Sequence, residues 1–314
     1  CAVMGKAIRE VYGEALAKYG KDDERIVALD ADLSGSTKSA IFGKACPERF
    51  LNVGIAESNM VGMAAGLASV GKIPFVNTFT GFLTTLGLCA ARAFGSYSQL
   101  PIKFAGAYGG MSDAFDGPSH HALEDIAVMR SLANMQVFVP CDAVQTEWLV
   151  KYAIDTPKPI YLRLSRDKFK DLYTSETEFA PGKGIVVREG TDITVIACGL
   201  MVGNAIDAAE ELAKEGISVR VVDMFSIKPI DEALIVRCAE ETGAIVSAEE
   251  HNIYGGLGSA VAEVLTKHGC GVTQGFVGVN DCHGECGPYK KLLAKYGLDA
   301  NAIANKVRET LAKK

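Results

Sequence analysis

One acid, Glu57, stands between a strand-like run, Phe50-Leu51-Asn52-Val53-Gly54-Ile55, and a small apolar stretch from Met60 to Ala68. That stretch has no polar stripe, which predicts a helix buried all round. Ile73 to Val76 reads as a second buried strand, and Phe79 and Phe82 follow it. The pattern sets a single carboxyl group at the mouth of a buried helix with aromatic surface nearby. A Glu in the first helical turn complements the helix dipole and needs no further role. In a low-dielectric setting the same group keeps its proton more readily, and it can then exchange that proton with a ring nitrogen.

Other polar groups fall where loops leave predicted strands. Asp30-Ala31-Asp32-Leu33-Ser34-Gly35-Ser36 follows the run Arg25 to Leu29, and in open α/β sheets the loops at strand C-terminal ends meet ligands. Plain turn chemistry also explains Asp32 and Ser36. A long glycine-rich loop from Gly106 to His121 carries Asp116 and His120; loops of this length inside compact domains are usually functional. Arg166 ends the run Pro159 to Leu164-Ser165, where a guanidinium matches phosphate bidentately or makes a surface ion pair with Asp167 or Asp171. Phe79 and Phe82 are also compatible with ordinary core.

Asn52-Val53-Gly54-Ile55-Ala56-Glu57-Ser58-Asn59-Met60, Thr78-Phe79-Thr80-Gly81-Phe82 and Asp116-Gly117-Pro118-Ser119-His120 together resemble the C-terminal half of transketolases. The likeness covers essentially the whole chain, with the three motifs in the family's order. It implies thiamine diphosphate as cofactor. That cofactor loses a proton from its thiazolium C2 to an imino group of its own pyrimidine, so the protein supplies an acid on the opposite ring nitrogen and an apolar slot. By the resemblance Glu57 is that acid, Phe79 and Phe82 line the slot, and Asp32 with Leu33 lies against the cofactor. Asp116 recognises a hydroxyl of a ketose donor, His120 holds and protonates sugar oxygens, and Arg166 and Ser36 meet the sugar phosphate. His121 is expected to be structural, and His251 has no catalytic role.

Three positions depart from the family pattern. Tyr108 stands eight residues before Asp116, where the family often has a His. Gly5 is the nearest match to an Arg near the start of the first helix, and Thr85 replaces a third aromatic. The sequence has no Gly-Asp-Gly…Asn motif for the diphosphate and its Mg2+ (or Ca2+), and it starts where the pyrimidine-binding domain should start. The resemblance therefore implies the C-terminal subunit of a two-chain transketolase. It would be active only with an N-terminal-type subunit that holds the metal and diphosphate, in a heterotetramer with two copies of each chain. Nearby alternatives are a beta-type subunit of a 2-oxo-acid dehydrogenase or pyruvate-using synthase, and a non-catalytic assembly subunit.

The elements that must position these residues alternate. Residues 2–20 read as a helix with Ile8, Val11, Ala15 and Leu16 on one face. Helices are expected over 84–99, 124–131 and from Asp142, which has Gln145 in capping-box spacing; strands are expected over 102–105, 135–139 and 159–164. In the second half strands are expected over 193–198, 218–223 and 244–247, and helices over 203–215, 231–241, 258–268 and from about Ala300. Such alternation predicts an α/β fold of two doubly wound domains with mainly parallel sheets. The expected units are a pyrimidine-binding domain over 1–172, a linker over 173–185 around Pro181-Gly182, and a transketolase C-terminal domain over 186–314.

Composition fits this frame. A chain of 314 residues with 48% apolar content has room for roughly two domains of about 150 residues. Its net charge of −6 argues against nucleic-acid or anionic-membrane partners. No apolar span is long enough to cross a bilayer, and no secretion signal is visible. Nine cysteines without a Cys-x-x-Cys motif suit reduced thiols in a cytoplasmic protein. Cys282-His283-Gly284-Glu285-Cys286 lacks the usual spacing and a fourth ligand for zinc. Gly66 to Lys72 imitates a phosphate loop, but Ile73 stands where Ser or Thr should bind magnesium, and Gly256-Leu257-Gly258 lacks the third glycine of a dinucleotide fingerprint.

Overall fold

The computed structural model describes residues 4–314. Cys1, and the start of the helix expected from residue 2, lie outside the described residues. A seven-stranded sheet runs in the spatial order Ser226–Lys228, Gln136–Phe138, Ile160–Arg163, Lys103–Ala107, Ile73–Phe79, Ile26–Asp30 and Phe50–Asn52. The six strands from the first half are parallel to their neighbours. Ser226–Lys228 is antiparallel and comes from the second half of the chain. A five-stranded sheet runs Thr273–Val279, Ala244–Asn252, Ile193–Ala197, Val219–Asp223 and Ile185–Arg188, with only the last antiparallel. The expected α/β class with two mainly parallel sheets is what the chain forms.

Side-chain alternation along each strand explains the layers. In the larger sheet Ile26, Ala28, Phe75, Ala105 and Leu162 share one cluster with Ile8, Tyr12 and Leu16 of the helix Ile8–Asp22. Val27, Leu29, Val76, Phe104 and Tyr161 belong to a different cluster. That second cluster continues into Ile196, Val222 and Ile245 of the smaller sheet, so one apolar core serves both halves. Val195, Val221 and Val246 form the third layer with the helices Leu200–Ala213 and Ala300–Leu311.

Several expected boundaries move. The first helix begins at Ile8, because Met4–Ala7 is a strand paired with Lys168–Lys170. The helix expected over 84–99 breaks into Thr80–Thr85, Leu88–Ala90 and a wide turn over Ala91–Tyr97. The expected strand over 244–247 extends to Asn252. Strands Ile185–Arg188, Ser226–Lys228 and Thr273–Val279 and helix Tyr289–Lys295 were not foreseen. The Glu57–Ser69 helix is not buried all round. Met60, Val61, Ala64 and Ala68 face the core, while Ile55 just before it is 82% exposed and Met63 38% exposed. Its apolar composition made every face look internal, but only one face meets this chain's own sheet. No helix among the described residues is long and apolar enough to cross a membrane.

Candidate active site

The strands Ile26–Asp30, Phe50–Asn52, Ile73–Phe79, Lys103–Ala107 and Ile160–Arg163 lie side by side and parallel. Their C-terminal ends deliver, respectively, Asp32, Glu57, Phe79, Asp116 with His120, and Arg166. The connection leaving Asp30 runs to the edge strand on one side, while that leaving Phe79 runs to the other side. This reversal is where open α/β sheets form their ligand crevice.

Glu57 opens its helix and is only 3% exposed. Its Oε1 accepts a hydrogen bond from Thr78 Oγ1 at 3.3 Å, next to Phe79. Phe79 and Phe82 have ring centroids 5.9 Å apart. His120 stands edge-on to both, at 5.9 and 5.3 Å, and its Nδ1 lies 2.9 Å from Ser119 Oγ. Tyr108 stacks on Phe79 at 4.4 Å. It reaches this position with φ +63, in the left-handed region.

The loop after Ile26–Asp30 is fastened by Asp30, which the sequence reading passed over. Asp30 is fully buried; it accepts from the Leu33 N–H at 2.6 Å and from the Thr37 and Ser39 hydroxyls at 2.7 Å each. Burial still raises its pKa. The bonds fix Asp32, Leu33 and Ser36 as a group, and Asn52 Nδ2 donates to Asp32 Oδ1 at 2.9 Å.

Arg9, not Gly5, is the arginine at the start of the first helix. Its Nη1 donates to the Ser36 carbonyl at 2.9 Å and to the Tyr108 hydroxyl. The guanidinium lies 5.1 Å from the Tyr108 ring centre, with that of Arg166 5.6 Å from the same centre. The helix begins at Ile8 and not at residue 2, so Arg9, and not Gly5, lies in its first turn. Gly5 lies in the preceding strand against Asp171.

The nearest acid to Arg166 is Asp113, at 3.8 Å, rather than Asp167 or Asp171. Asp113 is buried, and its Oδ2 has no hydrogen-bond partner. Burial and the neighbouring Asp116 push its pKa up to about 6, against the pull of Arg166 and His120. Composition gave no signal for Asp113, since a loop acid reads as solvated. His121 is buried with both ring nitrogens unpartnered, packs against Gly284, and has its pKa lowered by burial. Among the described residues no cluster of His, Cys, Asp or Glu could hold a metal ion, the Cys282–Cys286 segment included.

A buried carboxyl group bonded to the hydroxyl next to Phe79, on the same sheet end as the Phe79–Phe82 pair, suits the edge and face of a nitrogen heterocycle. Comparison with known proteins gives the family of the chain. Residues 4–171 match the transketolase pyrimidine-binding domain family, and residues 182–303 match the transketolase C-terminal domain family. Fold and site therefore define a protein of the thiamine diphosphate-dependent class. The chain is 42% identical to a putative transketolase C-terminal section of Methanocaldococcus jannaschii, over 98% of this chain and 97% of that one. It is 39% identical to a 6-deoxy-6-sulfo-D-fructose transketolase subunit of a Clostridium species, over 98% and 95%. A solved split-gene transketolase, an inactive beta4 tetramer, superposes with a TM-score of 0.90 at 48% identity over 98% of this chain and 99% of that one. The chain belongs to the transketolase family, as a transketolase C-terminal section.

Proposed function

We propose that this chain is the C-terminal subunit of a two-chain transketolase that moves a two-carbon ketol unit from a ketose to an aldose. The observation that carries the reading is the buried Glu57 carboxyl, bonded to Thr78 next to Phe79, with His120 edge-on to the Phe79 and Phe82 rings. Thiamine diphosphate, when bound, supplies the nucleophilic carbon of the reaction. Glu57 would hold a proton toward the pyrimidine ring nitrogen, and Phe79 and Phe82 would offer that ring apolar surface. Asp32 and Leu33 support the cofactor from the neighbouring loop, which Asp30 fixes. Asp116 orients a donor hydroxyl, and His120 exchanges protons with the sugar oxygens. We place the pyrimidine-binding unit at residues 1–172, the linker at 173–185 and the transketolase C-terminal unit at 186–314.

Arg9 and Arg166, both near the Tyr108 ring, with Arg9 bonded to the Ser36 carbonyl, suit a donor with an anionic end such as a phosphate or sulfonate. The metal and diphosphate are assigned to an N-terminal-type partner in a heterotetramer. The exposed Ile55 and Met63 beside Glu57, with the exposed Leu86, Phe94 and Tyr97 of nearby segments, supply apolar surface for that contact.

The test is reconstitution of the chain with an N-terminal-type subunit. Ketol transfer is expected only in the mixture, and turnover by this chain alone would overturn the two-chain reading. In the mixture Glu57→Gln is expected to slow exchange of the cofactor C2 proton about a hundred- to ten-thousand-fold; normal exchange removes Glu57 from its role. Arg9→Met and Arg166→Met are each expected to lower kcat/KM for an anionic ketose by about ten- to a hundredfold, the worth of one charge-assisted contact. The same variants should change kcat/KM for an uncharged ketose much less.

A further inference from the structure

The second half of the chain grips the loop that carries Asp113, Asp116 and His120. Glu250, on the strand Ala244–Asn252, is buried, and its Oε1 accepts from the Met111 N–H at 2.8 Å and from the Tyr289 hydroxyl at 2.9 Å. Gly110, at φ +70, leaves no room for a Cβ because the Glu250 carboxyl group fills that space. Gly110 and Ala122 close the base of the loop, bonding to each other at 3.0 and 2.9 Å. Further contacts converge there. Arg163 Nη2 donates to the Glu250 carbonyl at 2.8 Å and to the Ala122 carbonyl at 3.2 Å, and the Gly287 N–H donates to the Ala114 carbonyl at 3.0 Å.

We propose that Glu250 is a positioning residue for the sugar site: its carboxylate holds the turn at Met111 and so keeps the Asp113–His120 segment against the Phe79–Phe82 pair. This rests on the functional reading above for what the loop does, and on the geometry alone for what holds it. An acid here costs more than an amide of the same shape, since burial is the dominant influence on it. That influence pushes its pKa up to about 7. The groups facing it are Arg163 from Ile160–Arg163, Asp125 from the helix Asp125–Ser131, and Tyr289. Arg163 does not fully offset the cost, because it is committed to Asp125 at 2.7 Å. The neighbouring Glu249 is occupied by the Leu257 and Gly258 N–H groups.

The experiment compares Glu250→Ala, Glu250→Gln and the parent chain. Backbone amide exchange on this chain should rise about tenfold or more over residues 109–121 in Glu250→Ala, the worth of one charge-assisted hydrogen bond. Exchange in the strands Ile73–Phe79 and Lys103–Ala107 should not change. Glu250→Gln, which keeps an acceptor, should restore most of the protection. It should also lack the parent's loosening, relative to intrinsic exchange, as pH falls through about 7. In the reconstituted enzyme Glu250→Ala should raise KM for the donor ketose with C2 proton exchange of the cofactor unchanged. Exchange over 109–121 equal to the parent's, or an unchanged KM, overturns the proposal. If Glu250→Ala does not fold, Glu250→Asp asks the same question, since it withdraws the carboxylate from Met111 and keeps the charge. Amide exchange judges the clamp whatever the transfer assay gives; absence of transfer in the parent mixture counts against the functional reading.

Discussion

At the scale of single residues, the buried charges divide by how they are compensated. Arg163 is buried and donates to Asp125 at 2.7 and 3.1 Å. The carboxylate is held below its usual range by the guanidinium despite full burial. Tyr161 adds a hydroxyl bond to the same carboxylate at 2.6 Å. Arg163→Met would leave Asp125 charged and unpaired, and should destabilise the fold by roughly 3–5 kcal/mol, measured by urea unfolding. Replacing Arg163 and Asp125 together with apolar residues should recover much of that loss; an additive double variant would show that the pair is not coupled. Glu57 and Asp113 differ from this pair because neither has a full set of partners within the chain. Buried polar groups left short of partners are the ones that await a ligand or tune a site.

At the scale of elements, Asp142 is a cap that does more than start a helix. Its Oδ1 accepts the Gln145 N–H at 2.8 Å, as the capping-box spacing predicts. Gln145 does not bond back to Asp142; its Oε1 takes the Cys141 N–H at 2.8 Å. The other carboxylate oxygen of Asp142 accepts from Leu172 and Tyr173, at 3.0 and 2.8 Å, and so ties the expected linker to the first sheet. A cap alone is worth about 0.5–2 kcal/mol. With the Leu172 and Tyr173 amides also released, Asp142→Ala should cost about 2–4 kcal/mol. Proteolysis should then speed up first within residues 173–185. A loss confined to helix stability, with unchanged cleavage there, would separate the cap from the tether.

At the scale of the whole molecule, the two halves share a core and exchange elements. Ser226–Lys228 completes the larger sheet. Next to it, Asp223 Oδ2 accepts from Gln145 at 2.8 Å, from the Tyr173 hydroxyl at 2.8 Å and from Cys141 Sγ at 3.3 Å. Burial pushes the Asp223 pKa up to about 6, whereas an unfolded Asp titrates near 3.9. Between these values the folded chain keeps a proton that the unfolded chain has released. Stability therefore falls as pH rises from about 4 to about 6, and the whole cost is present above that. Asp223→Asn cannot titrate. Its stability relative to the parent should rise by roughly 2 kcal/mol between pH 4 and pH 7, by urea unfolding at each pH. A pH-independent difference would show that Asp223 is not the group responsible. Both forms should unfold in one cooperative transition, because a shared core does not come apart in halves.

The sequence determined what depends on local pattern and on motif: the strand–helix alternation, the loops at strand ends, Glu57 at a helix start, and the resemblance carried by its three motifs. Each is written in neighbouring residues. Tertiary structure decided what depends on contacts between distant ones. Arg9 meets Tyr108 and Ser36, which lie 99 and 27 residues away, from a helix that starts at Ile8 after the paired strand Met4–Ala7. Glu250 met Met111, and Ser226–Lys228 joined the first sheet, across many intervening residues. The apolar Glu57 helix turned one face outward because a sheet covers only one side of a helix. Periodicity names the faces of an element; what packs against each face is set by the rest of the chain.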